Sequence, residues 1–370
     1  MNHRSSRRQF LGVAGMVAVA GCTRLGGGEG DVLESTPPLS EFNVPLAYTL
    51  TDLFEESVGS GRNPDDPPAV GRSDVAIDEP SFHSAADANL AGTDLVFGIE
   101  KNGETKAYPQ HILVWNEIVN DVVGGDPVCV TYCPLTGTAV GFDRGEASFG
   151  LSNKLVNSNL ILYDRGTETW WPQMLGAGIA NENRGQALIE TQVVWTTWNR
   201  WRQKHPDTTV LTEETGFIRD YGDDPYGSYD PEPGGYYASS EPTRVVMHED
   251  DRFHSKEVVV GARTSDGTVA FVKETMRQSG VETERVGETS YSAFYDDCLD
   301  VVYVYRNPDS ETFTQENGLY ADSHGESFRA DNIPLEAVIA FDAMWFAWVA
   351  FFPNTVVAPA QTTFFEAPGF

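Results

Sequence analysis

The chain has 370 residues and a formal net charge of -30, from 55 acidic against 25 basic residues. That balance excludes an electrostatic nucleic-acid binder and repels anionic membrane surfaces. The acid is dispersed and only six of the basic residues are lysine, which reads as a surface kept hydrated in concentrated salt rather than as a cation sponge.

In chain order, Ser6-Arg7-Arg8-Gln9-Phe10-Leu11-Gly12 has the twin-arginine export pattern and leads into a short apolar run, Val13 to Ala20. The run is far below the ~20 residues that span a bilayer. Val19-Ala20-Gly21-Cys22 reads as a lipobox, so residues 1–21 are expected to be a signal peptide and Cys22 to carry the lipid. Together these features resemble the leader of an exported haloarchaeal lipoprotein. The expected partners are the membrane, through the lipid on Cys22, and the twin-arginine export machinery. The expected location is the outer face of the cytoplasmic membrane. Residues 22–73, rich in Gly, Pro, Asp and Glu, read as a flexible acidic tether with one short helix near Thr51 to Glu56.

A single domain is expected over residues 74–370. Lys101-Asn-Gly-Glu joins two strands in a hairpin, and Ile112, Trp115, Val119 and Val122 recur at helical spacing after Pro109. Val128, Val130 and Tyr132 alternate with Cys129, Thr131 and Cys133, the period of a strand with two faces. Pro134 and Gly137 then make a turn before a second strand, Ala139 to Phe142, so Cys133 stands at a strand end where a side chain can face a cleft. Phe149 to Tyr163 gives more strand, and Val194, Trp198 and Trp201 a short helix. Phe217 to Tyr237 is a long loop dense in Gly, Pro, Asp and Tyr. Val258 to Val272 is a second hairpin, and Leu299 to Tyr305 a further strand. Val338 to Phe352 is the most apolar piece, but it has Asp342 inside it and is too short to span, so it reads as core. No repeat occurs at a solenoid period. The expected class is α+β, predominantly antiparallel β (sandwich or barrel-like), with short helices near residues 110–122 and 194–204.

Several stretches carry a resemblance. Phe97-Gly-Ile-Glu, Trp115-Asn-Glu-Ile-Val-Asn-Asp121, Val130-Thr-Tyr-Cys-Pro-Leu-Thr-Gly-Thr138, Tyr163-Asp-Arg, His205-Pro206, Arg219-Asp-Tyr-Gly222 and Trp345-Phe-Ala-Trp348 resemble the domain of unknown function 3179 family. The match runs in order over roughly residues 75 to 355. The family name implies no activity. Its members often carry Cys-Pro-Leu-Cys where this chain has Cys133-Pro-Leu-Thr136, and some relatives are described as selenoproteins. Thr136 removes the second thiol, so dithiol exchange within the motif is excluded.

Four functional readings follow. The first is monothiol redox chemistry at Cys133, with Arg144 or turn amides lowering its pKa and Cys129 or Cys298 resolving. Its possible neighbours are Thr136, Asp143, Asn157, Asp164, Arg219 and Asp220. In the second, Cys133, His111, His248, His254 and Met247 bind copper or zinc, although their spacing matches no strong ligand pattern. The third is a non-catalytic envelope module in which Trp170, Trp171, Tyr221, Tyr226, Tyr229, Tyr236 and Tyr237 stack on a sugar or peptide. The fourth is a hydrolase with Asp143, Asp164 and Asp220 as acid/base groups and Asn153, Asn157 and Arg219 positioning a substrate, but no nucleophile elbow, phosphate loop or His-Glu-x-x-His motif supports it.

Overall fold

The computed structural model describes residues 47–59, 75–229, 233–240 and 246–358. Arg7, Arg8, Cys22 and the tether apart from residues 47–59 lie outside the described residues. The described part of the tether is not free of the domain. Leu50–Glu55 (α1) is capped by a Thr49 capping box and buries Leu53 in the core. Val58–Gly59 (β1) then pairs antiparallel with the strand carrying Lys154 and Leu155.

After Phe82–Ser84 (β2), Leu95–Lys101 (β3) and Glu104–Pro109 (β4) form the first hairpin, followed by Gln110–Asn116 (α2). A meander of Ile118–Val123 (β5), Asp126–Cys133 (β6) and Thr138–Asp143 (β7) comes next. The helix expected to run to residue 122 stops at Asn116, because Glu117 takes a left-handed conformation (φ 56°) and a β-branched run follows. Phe149–Val156 (β8), Asn159–Asp164 (β9) and Trp170–Pro172 (β10) make a sheet with β1. Ile189–Thr191 (β11) and Val194–Thr197 (β12) precede Trp198–Lys204 (α3) and Thr209–Leu211 (β13). Among its described residues the long loop contains only Gly227–Ser228 (β14), Gly234–Gly235 (β15) and a 3₁₀ turn at Tyr236–Ala238.

The second half repeats the first. Val258–Thr264 (β16), Gly267–Val272 (β17), Lys273–Ser279 (α4), Val281–Val286 (β18), Thr289–Asp296 (β19) and Val301–Arg306 (β20) match β3 to β7 and α2 at one constant offset, without insertion or deletion. A small sheet of Thr314–Glu316 (β21), Leu319–Ala321 (β22) and Ser327–Phe328 (β23) intervenes. Glu336–Val338 (β24), Ala340–Met344 (β25), Trp345–Phe351 (α5) and Val356–Ala358 (β26) then answer β11, β12, α3 and β13. Pairing repeats too: β12 lies antiparallel on β3 as β25 does on β16, and β13 lies parallel to β4 as β26 does to β17. The sheets are mostly antiparallel and stay open, so the expected β-rich α+β class holds in its sandwich-like form.

Each repeat is closed by the same contact. The Trp201 ring lies on the backbone of Gly98, and the Trp348 ring on that of Gly261. Each indole N–H donates to a threonine hydroxyl, Thr208 or Thr355, at 3.0 Å. All seven residues of α5 are buried, as expected of a helix apolar all round. No helix among the described residues is long and apolar enough to cross a membrane.

The repeats also interlock. Met344 N donates to Thr136 O at 2.9 Å, and Cys133 shares a core with Trp345 and Trp348. Reciprocally, Leu299 and Val301 of the second repeat pack with Trp198 and Trp201 of the first.

A methyl group at Gly98 or Gly261 would sit 2.2–2.4 Å from the indole ring. Gly98→Ala and Gly261→Ala should therefore each lose ~1–3 kcal/mol or more of stability, measured by denaturant unfolding in high salt. An unchanged midpoint in both would contradict the proposed closure.

Candidate functional site

The β8–β9 connection builds the surroundings of Cys133. Asn157 and Ser158 both have positive φ, at 51° and 63°, which suits a tight hairpin turn. Asn157 then ties three segments together: its amide donates to Ala350 O at 3.0 Å, and its carbonyl accepts from Met247 N at 2.8 Å. The Ser158 carbonyl accepts a long 3.8 Å contact from Cys133 Sγ.

Cys133 is 1% exposed and sits in the main apolar core. Burial pushes its thiol up to about 11, and the Glu117 carboxylate pushes the same way. Arg144 does not reach it as expected; that guanidinium lies at the other end of the strand and bears on Cys129. Cys129 is likewise buried and free, its thiol raised still further by desolvation. Cys298 is free and exposed, and its thiol is also raised, by desolvation and by Asp296 and Asp297. The backbone amides of Thr136 and Leu160 do pull the Cys133 pKa down, as expected of the turn, but burial outweighs them, and a reactive thiol also needs access.

Thr136 is fully buried and joins a polar network under the turn. Its hydroxyl accepts from Asn159 Nδ2 at 3.0 Å, and Asn159 in turn donates to Gln173 Oε1 at 2.8 Å. Gln173 donates to Thr131 Oγ1 at 2.8 Å and to Thr138 O at 3.1 Å. These bonds satisfy side chains that burial would otherwise penalise, which is a structural role.

The structure gathers Thr136 and Asn157 around Cys133 but not the other expected neighbours. Asp143 pairs with Val128, while Cys133 pairs with Thr138, so the carboxylate lies at the far end of the hairpin, roughly 16 Å along the strand. There it binds Lys101 at 2.5 Å. Asp164 is fully buried and caps its own turn through Gly166 N and Thr167 Oγ1. Arg219 donates to Ile218 O in a surface loop, and exposed Asp220 accepts from Gly222 N.

The expected metal ligands do not converge either. His111 pairs with Glu213, and its pKa is lowered, burial outweighing that carboxylate. Among the described residues only Asp296–Asp297–Cys298 and Glu311–Asp322–His324 bring three His, Cys or carboxylate ligands together. In both groups a carboxylate is taken up by its own turn: Asp296 accepts from Cys298 N, and Asp322 accepts from His324 N and Glu326 N.

A different cluster lies beneath the long loop. Asp224 accepts from Gln110 Nε2 at 2.9 Å, from Tyr237 OH at 3.1 Å and from Tyr226 N at 2.8 Å. Tyr237 stacks on Tyr229 at 3.9 Å, and its hydroxyl lies 3.5 Å from that of Tyr132. Trp195 stands edge-on to Phe97, Tyr132 and Tyr229 at 5.1, 5.6 and 5.7 Å. The Tyr229 hydroxyl is buried and faces that of Tyr132 without closing a hydrogen bond of normal geometry. Desolvation, reinforced first by the neighbouring tyrosines and then by Asp224, holds Tyr229 and Tyr237 well above the ordinary phenol range, so both phenols are neutral. Trp195, Tyr226, Tyr229 and Tyr236 remain half-exposed.

Lys256 borders this cluster. Its ammonium lies 3.3 Å from the centre of the Tyr236 ring and donates to Tyr236 O and Ser239 Oγ. Burial lowers its pKa to about 8. The Tyr236 hydroxyl donates to Leu135 O, which links the loop to the turn after Cys133.

Sequence reasoning named the loop tyrosines but missed Asp224, Gln110, Tyr132, Trp195 and Lys256. The signal for Trp195 and Gln110 was the repeat itself, legible in Trp198-x-x-Trp201…Pro206-Asp-Thr208 against Trp345-x-x-Trp348…Pro353-Asn-Thr355. Other expected stacking residues are spent elsewhere. Trp171 and Tyr221 are buried, and Trp170 packs against Phe54 of α1.

Fold and site define a duplicated β-rich α+β protein whose halves interlock around a buried cysteine. The family described as Protein of unknown function (DUF3179) matches residues 75–355, and the chain belongs to that family. Comparison with curated proteins and with solved structures found no match.

On folded protein at pH 8, a small alkylating reagent should modify Cys298 and leave Cys129 and Cys133 unlabelled. All three should react after unfolding, as read by peptide mass mapping. Labelling of Cys133 as fast as Cys298 in the folded state would contradict its burial.

Proposed function

We propose that this protein is an exported, lipid-anchored envelope module that binds a ligand or partner and performs no thiol chemistry of its own. The observation that carries this reading is the contrast between two neighbouring regions. The Cys133 thiol is sealed in apolar core with its pKa raised. Partly exposed aromatic rings with phenol, amide and carboxylate groups gather instead where the 217–237 loop meets the first repeat. Rings with a few convergent polar groups are the usual lining of a binding site. The monothiol route at Cys133 is disfavoured on the same grounds, and no metal centre is proposed.

Export and anchoring rest on the sequence alone. Arg7 and Arg8 would address the chain to the twin-arginine machinery, and Cys22 would carry the lipid that holds it at the outer face of the membrane.

The binding reading predicts that ligand-observed NMR in high salt, with neutral sugars, short peptides and small amines as probes, finds at least one ligand. Tyr229→Ala should weaken it tenfold or more, and Cys133→Ser should leave it unchanged. Rapid disulfide exchange by the native protein, lost in Cys133→Ser, would overturn the reading in favour of thiol chemistry. For the anchor, Cys22→Ser should release the exported protein from the membrane fraction, and paired Arg7→Lys and Arg8→Lys should retain it in the cytoplasm. A membrane-bound Cys22→Ser protein would remove the lipid assignment.

A further inference from the structure

The two repeats can be compared position by position at the tyrosine cluster. In the second repeat the first residue of α4, Lys273, pairs with Asp342 on β25 at 2.5 Å, and the pair is nearly buried. Asp342 lies opposite Val260 in the sheet. The matching residues of the first repeat are Gln110, the first of α2, and Trp195, which lies opposite Phe97. The first repeat has therefore exchanged a closed ammonium–carboxylate pair for an amide and an indole.

The carboxylate has not disappeared from this place; the loop supplies it. Gln110 donates to Asp224 as Lys273 donates to Asp342, but an amide brings no charge. Asp224 makes no ion pair among the described residues. The adjoining cation, Lys256, is engaged by Tyr236 and Ser239. What results is a carboxylate with no ion-pair partner among the described residues, beside the rings of Tyr229 and Tyr237, with Trp195 edge-on to Tyr229. The Tyr229 hydroxyl is buried there without a hydrogen bond of normal geometry.

We infer that this site takes a small organic cation, whose ammonium does for Asp224 what Lys273 does for Asp342. The inference rests on the binding reading above and names its ligand class. Aromatic faces attract an ammonium through their quadrupole, and a neighbouring carboxylate adds to that attraction. Neutral phenols at Tyr229 and Tyr237 cannot supply the anion themselves, so Asp224 sets the charge requirement.

The test uses choline and butylammonium as probes, with 3,3-dimethylbutanol as choline's neutral counterpart, on the full folded protein in high salt. Line broadening and titration by ligand-observed NMR read the affinity. At least one cation should bind, and the neutral alcohol should bind tenfold or more weakly. Asp224→Asn should reduce cation binding at least tenfold, and Trp195→Leu should reduce it too. Exposed Asp223→Asn should leave it unchanged, and near-UV circular dichroism checks that each variant is folded. Equal binding of cation and alcohol would overturn the cation inference while keeping the binding reading. So would binding of sugars or peptides with neither cation bound. If no probe of any class binds, both fall.

Discussion

Everything in this molecule leans on an indole ring laid flat against a strand where glycine leaves no side chain. The contact occurs twice, Trp201 on Gly98 and Trp348 on Gly261, and each time a threonine hydroxyl takes the indole N–H. The ring fixes a short helix over a hairpin and satisfies the one polar group that burial would strand. A seven-residue helix has little stability alone, so α3 and α5 owe their form to this packing. The strands on either side, β12 with β13 and β25 with β26, are held to the hairpin by the same closure.

Duplication also explains why the cysteine motif is inside. The turn after Cys133 is seated on the second repeat, through Thr136 O and Met344 N, while the corresponding turn of the second repeat meets Trp198 and Trp201. A residue at such a seam is surrounded on both sides by core. Desolvation then raises the Cys133 pKa, outweighing the hydrogen bonds from Thr136 and Leu160 that oppose it. Thr136 fits the same logic, since its hydroxyl belongs to a closed network running through Asn159 and Gln173 to Thr131.

The halves have diverged where one of them can be specialised. A buried ion pair adds little net stability over a neutral replacement, because desolvation of both charges offsets their attraction. Losing Lys273's counterpart in the first repeat therefore need not unfold it, provided that no charge is left buried alone. The loop answers this with Asp224, half-exposed and held by Gln110, Tyr237 and a backbone amide. Structure that would be redundant in a perfect repeat becomes available for recognition.

Local signals in the sequence were sufficient for much of this. Alternation set β6, Lys101-Asn-Gly-Glu set the first hairpin, the 258–272 run read as the second, and the apolar run from Val338 onward declared itself as core. Those features depend on neighbours in the chain, so the chain alone determines them. The helix reading over residues 110–122 failed because periodicity cannot see a left-handed residue at Glu117. What surrounds Cys133, which carboxylates stand near it, and how Gln110, Trp195 and Asp224 come together depended on contacts between residues far apart in the chain. Only the packing of one repeat against the other, and of the long loop on the first, could decide them, because burial and charge pairing belong to the folded arrangement rather than to any stretch of sequence.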